Sequence, residues 1–207
     1  MRPAFVIAAS LVLAGPAPAQ QPRQQPRSEP PRQQQPAEPQ RRVPDPKHQS
    51  RLDQLFERLS ASGSEAEASS IAEQIARIWS RTGSDTLDLL MERVQGSMTA
   101  NDGVTALDLL DSILALKPDF MEAYSRRAAV HFQRKDMDAA MRDLRRALAM
   151  EPRHFQALAG VGMIYQQAGE PKLALKAFRE ALKINPHIKG IREAAERLAL
   201  EHDGQGI

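Results

Sequence analysis

Apolar and small residues recur along residues 87–186 in columns spaced 34 residues apart. Pro118, Pro152 and Pro186 mark the end of each copy. Ala106, Ala140 and Ala174 lie twelve residues before these prolines, and Leu110, Leu144 and Phe178 eight before. Leu114, Leu148 and Leu182 lie four before, and Leu116, Met150 and Ile184 two before. Five columns in one phase over three copies mean a stacked repeat architecture, in which each copy is one supersecondary unit.

Within Met121–His154 the pattern reads as helix, turn, helix, stop. Ala123, Tyr124, Ala128 and His131 share one helical face in the first half. Lys135-Asp136 interrupts it, and Ala140, Met141, Leu144, Ala147 and Leu148 form the second face. Pro152 ends the second helix, because proline cannot continue one and disfavours helical geometry in the residue before it. One such pair cannot bury both of its sides, so neighbours stack and share a continuous core.

Two further helices are predicted before the repeats. Leu52, Leu55, Phe56 and Leu59 form one stripe, and Ile71, Ile75, Ile78 and Trp79 a second. Ala61–Ser64 is the turn between them, Ser64 and Glu67 have capping-box spacing, and Gly83 closes the pair. The pair is out of phase with the 34-residue period and lacks its proline. It reads as a degenerate repeat or an N-terminal cap. Ile188, Ile191, Ala195 and Leu198 give a matching C-terminal cap, with Arg192, Glu193, Glu196 and Arg197 toward water and a fraying end after it.

These residues resemble the tetratricopeptide repeat. Ala128 and Gly162 match the family's small position in the first helix, with Val94 a larger stand-in. Ala140 with Ala147, and Ala174 with Ala181, match the paired small positions of the second, where the first copy has Ala106 and Ile113. Gly162 and Tyr165 make the third copy the closest match. Arg93 and Arg127 depart from the pattern, standing where the family usually buries a leucine, whereas Val161 fits in the third copy. The resemblance covers roughly half the chain. It implies an all-α fold, a right-handed superhelical stack of helix-turn-helix repeats with a capping helix. It implies an architecture for holding partners rather than a shared chemistry. The expected organisation is 1–19 signal peptide, 20–47 Pro/Gln-rich linker, 48–86 degenerate helical pair, 87–120, 121–154 and 155–188 repeats, and 189–207 capping helix and tail.

Composition changes the picture at the N-terminus. Met1–Ala19 has the form of a secretory signal: Arg2, an apolar run from Ala4 to Ala14, and the small-residue site Ala17-Pro18-Ala19. The run is short for a membrane span, which takes about 20 apolar residues. The expected location is exported, periplasmic or secreted, with no integral span after cleavage. An uncleaved anchor is the alternative. Gln20–Lys47 holds eight prolines and eight glutamines and almost nothing apolar. It cannot bury enough surface to offset its ordering entropy, so it reads as a disordered spacer. A basic tail touching anionic lipid or cell-wall polymer is the other reading.

The chain carries 28 Lys and Arg against 26 Asp and Glu. Setting aside Arg2 and the linker's six basic and three acidic residues leaves 21 basic and 23 acidic for residues 48–207. The folded part is slightly acidic and lacks the basic face that nucleic-acid binding requires. There is no cysteine, hence no disulfide or thiolate metal site. The five histidines show no metal-ligand spacing, and His131 reads as a packing residue. No Gly-x-Ser-x-Gly elbow or phosphate loop occurs. Gly160-Val161-Gly162 lacks the third glycine of a dinucleotide fingerprint. No catalytic residue, cofactor or metal is expected.

What remains is a surface. The resemblance implies a concave groove lined by the first helix of each copy, where a protein or peptide partner lies. Its expected lining is Asp88, Met91, Gln95 and Met98 from the first copy, and Glu122, Ser125, Ala129, Phe132 and Gln133 from the second. Gln156, Ala159, Met163 and Gln166 come from the third. Methionines and Phe132 offer adaptable apolar contact, and glutamines can bond an extended backbone. Arg126 is expected to be exposed and to contact a partner carboxylate. Arg127 and Arg93 read better as internal ion pairs, with Asp143 for the first and Asp108 or Asp111 for the second. The leading function is a non-catalytic scaffold in the cell envelope. Self-association through the exposed Met and Phe positions, or an accessory role in an envelope assembly machine by family analogy, are the alternatives.

Overall fold

The computed structural model describes the backbone of residues 46–203 and the side chains of residues 50–201. The expected signal peptide and nearly all of the linker lie outside the described residues. Nine helices and no strands occur among the described residues. They are α1 (Pro46–Ser60), α2 (Glu65–Trp79), α3 (Asp85–Thr99), α4 (Gly103–Leu116), α5 (Met121–Gln133), α6 (Met137–Met150), α7 (Phe155–Gln167), α8 (Pro171–Ile184) and α9 (Ile191–Asp203). The fold is all-α, a stack of helix-turn-helix units. None of the described helices is long and apolar enough to cross a membrane. Helix α1 begins at Pro46 and so takes in the last two residues of the expected linker. Proline is at home there, since its fixed φ suits the first helical turn and its missing N–H costs nothing.

Short-range chemistry sets the helix ends. Asp102 accepts from Thr105 N–H at 3.1 Å and Asp136 from Ala139 N–H at 3.0 Å, each capping the second helix of a copy. Asn101 and Lys135 turn the chain at positive φ just before these caps. Ser64 accepts from Glu67 N–H at 3.3 Å, and Glu67 reaches back to accept from Gly63 N–H at 3.1 Å, one residue beyond the N-cap that a strict capping box would use.

The columns of the sequence are the core. Ala106, Leu110 and Ile113 are fully buried beside Leu87, Met91 and Val94, and Ala123 and Val130 of the next copy complete that cluster. Ala128, Ala140, Leu144 and Ala147 form a second cluster with Ala157 and Ile164. Ala159, Ala174, Phe178 and Ala181 form a third with Ile191, Ala195 and Leu198 of α9. Each copy thus packs on the next, and α9 packs on α8. Gly162 is needed for the close approach of α7 and α8, because a Cβ there would lie 2.4 Å from two carbons of the Phe178 ring.

The first helical pair does not cover the free end of α3–α4. Leu55, Phe56 and Leu59 of α1 join Ala68, Ile71, Ile75 and Trp79 of α2 in a cluster closed by Phe155, the first residue of α7, and by partly buried Met121, Ile184 and Ile188. The pair lies across the turns that enter α5, α7 and α9. Three aromatics explain this choice. Trp79 stacks on His154 with centroids 4.4 Å apart, and Phe56 and Phe155 flank it at 5.9 and 6.0 Å. Polar clamps hold both ends. Arg153 donates to Asp53 at 2.6 Å while lying over Phe56, and His187 Nε2 is 3.0 Å from the Ser62 carbonyl.

Candidate functional site

The expected groove residues fall in rows, because equal positions in successive copies are 34 residues apart. The rows differ in access. Met91 and Ala159 are buried, with Ser125 half-buried between them. Asp88 is half-buried, Glu122 buried and Gln156 exposed. By contrast Gln95, Ala129 and Met163 are all exposed. Met98, Phe132 and Gln166 are all half-buried, and Gln133 beside them is exposed. The accessible strip is therefore made by the C-terminal halves of α3, α5 and α7. The N-terminal ends of these helices are where α2 lies.

Arg126 ties that closed end together. Its Nε donates to Glu122 at 2.8 Å, Nη1 to the Gln95 side-chain oxygen at 2.6 Å, and Nη2 lies 3.5 Å from the Oγ of Ser80, the residue that caps the C-terminus of α2. Its side chain is only 20% exposed, so the expectation of an exposed arginine does not hold. The reason is the placement of α2, which brings Ser80 over α5. Between α2 and α3 a cleft of about 510 Å³ remains, lined by Ala76, Ser80, Asp88, Met91, Gln95 and Arg126 among others. Thr82 anchors the chain as it leaves α2. Its N–H and hydroxyl donate to Asp88 at 2.9 and 2.6 Å, holding the Asp88 carboxyl below its ordinary pKa.

His154 is the other element that the sequence does not disclose. It is fully buried, and its Nδ1 accepts from Ala157 N–H at 3.3 Å, capping α7. With Nδ1 an acceptor, the proton of the neutral ring sits on Nε2. That atom faces Glu122 Oε2 at 3.6 Å, too far for a hydrogen bond, and has no other partner among the described residues. The available signal was Trp79, the single tryptophan of the chain, which required a large buried partner.

The two odd arginines part company. Arg127 makes the expected internal pair, with Nε and Nη2 donating to the two oxygens of Asp143 at 2.7 and 2.8 Å. It also reaches Asp111 of α4 at 2.5 Å. Asp143 and Asp111 together push the Arg127 pKa up. Arg93 is exposed, and Asp111 faces Arg127 instead. The position that gives Arg127 its acid, Asp143, is Leu109 one period earlier, so the first copy supplies no equivalent carboxylate. His131 is half-buried, with its ring nitrogens 3.9 Å from Asp136 and 4.0 Å from Asp143. Among the described residues no group of three or more His, Asp and Glu side chains is placed to hold a metal ion.

Comparison with known proteins agrees with this architecture. The tetratricopeptide repeat family model matches residues 122–154 and 155–188. A TPR repeat-containing protein of Rhizobium etli is 39% identical over 149 residues, covering 72% of this chain and 73% of the relative. Among solved structures, the first TPR of Spaghetti, bound to an HSP90 peptide, aligns with a TM-score of 0.53 at 16% identity. That match covers 56% of this chain and 93% of the other. The type III secretion chaperone SycD of Yersinia enterocolitica, in complex with a peptide of the translocator YopD, aligns at 0.52 and 15% identity, covering 57% and 96%. With its repeating columns, its helical stack and a relative matched over most of both chains, this chain belongs to the tetratricopeptide repeat family.

Proposed function

We propose that the chain is a non-catalytic holder of a protein partner, and that it grips an extended peptide on the open strip of its concave face. The observation that carries this reading is the row pattern: Gln95, Ala129 and Met163 stay exposed on three successive first helices, beside half-buried Met98, Phe132 and Gln166. Rows of this kind offer what a peptide backbone and its alternate side chains need. Gln133 and Gln166 can donate and accept along the backbone, whereas the Gln95 side-chain oxygen already accepts from Arg126. Met98, Met163 and Phe132 present soft apolar contact that adapts to different side chains. Peptides held by Spaghetti and SycD support the reading by likeness of fold. The signal-like segment Met1–Ala19 supports placing this activity in the cell envelope.

The test is selection from a displayed peptide library against the full chain, followed by affinity measurement on two variants. Met163→Glu changes the strip at an exposed position, and Phe132→Ala, whose ring packs in part against the Ala128–Leu144 core, is used once circular dichroism shows that it keeps its helices. A shared sequence motif that binds the wild type and loses affinity on both variants supports the reading. Selected peptides that bind both variants as well as the wild type place recognition elsewhere and refute it.

A further inference from the structure

The 34-residue register exposes a face that the later copies bury. Ala123 and Ala157 are fully buried, and Val130 and Ile164 are 1% and 6% exposed, because each packs toward the preceding copy. One period earlier these positions are Leu89 and Gly96. Leu89 is 52% exposed, and a Cβ built on Gly96 would meet nothing within 4 Å. Helix α2 does not cover them. It runs along the groove side of α3, where the cleft takes Asp88, Met91, Glu92 and Gln95. Arg93 repeats the story in charge. Its counterpart Arg127 receives Asp111 from the preceding copy, while Arg93 is exposed with no preceding copy to supply an acid.

We propose that a second copy of this chain docks on this face, α3 against α3 in antiparallel fashion about a two-fold axis. Leu89, Glu92, Arg93 and Gly96 fall at i, i+3, i+4 and i+7 and share one side of the helix. With the axis between Glu92 and Arg93, Leu89 of one copy lies over the bare backbone at Gly96 of the other, and this happens twice. Glu92 of each copy then faces Arg93 of the other, giving two opposite-charge pairs. Glu92 is exposed at the rim of the α2–α3 cleft, so its carboxylate is available. Such a face is self-complementary in both shape and charge, as an isologous interface requires. It supplies to Arg93 the kind of carboxylate that Asp111 supplies to Arg127. The face is separate from the peptide strip, so dimerisation and peptide binding stand or fall independently.

The experiment is sedimentation velocity on the full chain over a concentration series. The wild type is expected to show a reversible monomer–dimer equilibrium. Glu92→Arg and Arg93→Glu each place like charges opposite one another at both pairs, and each should weaken dimerisation at least about tenfold. An equimolar mixture of the two variants should dimerise again, because one copy then carries two cations opposite two anions. The double exchange within one chain should do the same. Circular dichroism confirms that each variant keeps its helices, as expected for changes at exposed positions. A wild type that stays monomeric up to its solubility limit overturns the proposal. So do single variants that dimerise like the wild type, or a mixture that associates no better than its components.

Discussion

The pair between Arg127 and Asp143 gives the sharpest test of how the stack is held. Asp143 is 8% exposed at its side chain and takes two short bonds from one guanidinium. Removing Arg127 would strand that carboxylate, with only His131 Nε2 nearby at 4.0 Å. Breaking a fully buried pair costs about 3–5 kcal/mol. Here the Arg127 side chain is 22% exposed, so water reaches part of the site. The loss for Arg127→Met should therefore be about 2–3 kcal/mol, a drop of about 5–10 °C in Tm for a domain of this size. Replacing both partners tells a different story. The third copy already uses an apolar solution, with Val161 and Ala177 at the same two positions. Arg127→Met with Asp143→Leu should recover at least half of the loss, because no buried charge is then left alone. Urea unfolding of the wild type, both single variants and the double variant forms a complete cycle. A loss under about 0.5 kcal/mol for Arg127→Met, or a double variant as unstable as the singles, would refute the reasoning.

Other expectations follow from single contacts. Gly162→Ala forces a methyl group into the fully buried Phe178 ring and should cost about 1–3 kcal/mol by thermal unfolding. Trp79→Ala removes the stack on His154 and should destabilise by about 3–5 kcal/mol. Hydrogen exchange should quicken in α1 and α2 while α6 and α8 keep their protection. The Asp88 carboxyl lies below its ordinary value of 3.8. Its contribution to stability is therefore present above about pH 4 and is lost as the pH falls through its lowered folded value. Asp88→Asn should flatten the acid side of the stability profile, read by denaturant unfolding at several pH values. The proposed export makes one further prediction: the N-terminus of the mature chain, read by sequencing from the native host, begins at Gln20.

The stack was legible because its physics is periodic. Ala106, Ala140 and Ala174 recur where helices must approach, and each is fully buried. The partnership of Arg127 with Asp143 was legible too, since a guanidinium in a core column demands a nearby acid. The position of the first helical pair was not. Its stripes showed that Leu55, Phe56, Ile71 and Trp79 would be buried, yet a stripe does not name the surface that buries it. The answer depended on His154, Phe155 and Arg153, which sit in a turn and at a helix start and belong to no column. That placement in turn decided the site. It drew Arg126 into Ser80, Gln95 and Glu122, and left the rows of Gln95 and Met98 accessible. Arg93 was misread for a related reason. Sequence places Asp111 within range of it, but only the stacked geometry shows that Asp111 faces the next copy.

The most direct examination of the peptide-holding strip is a hydrogen-exchange footprint of a selected peptide on the full chain. Slower exchange should appear in the C-terminal halves of α3, α5 and α7, around Gln95, Ala129, Phe132 and Met163, and not in α4, α6 or α8. Protection confined to α1 and α2, or to the second helices of the copies, would contradict the strip as the binding surface.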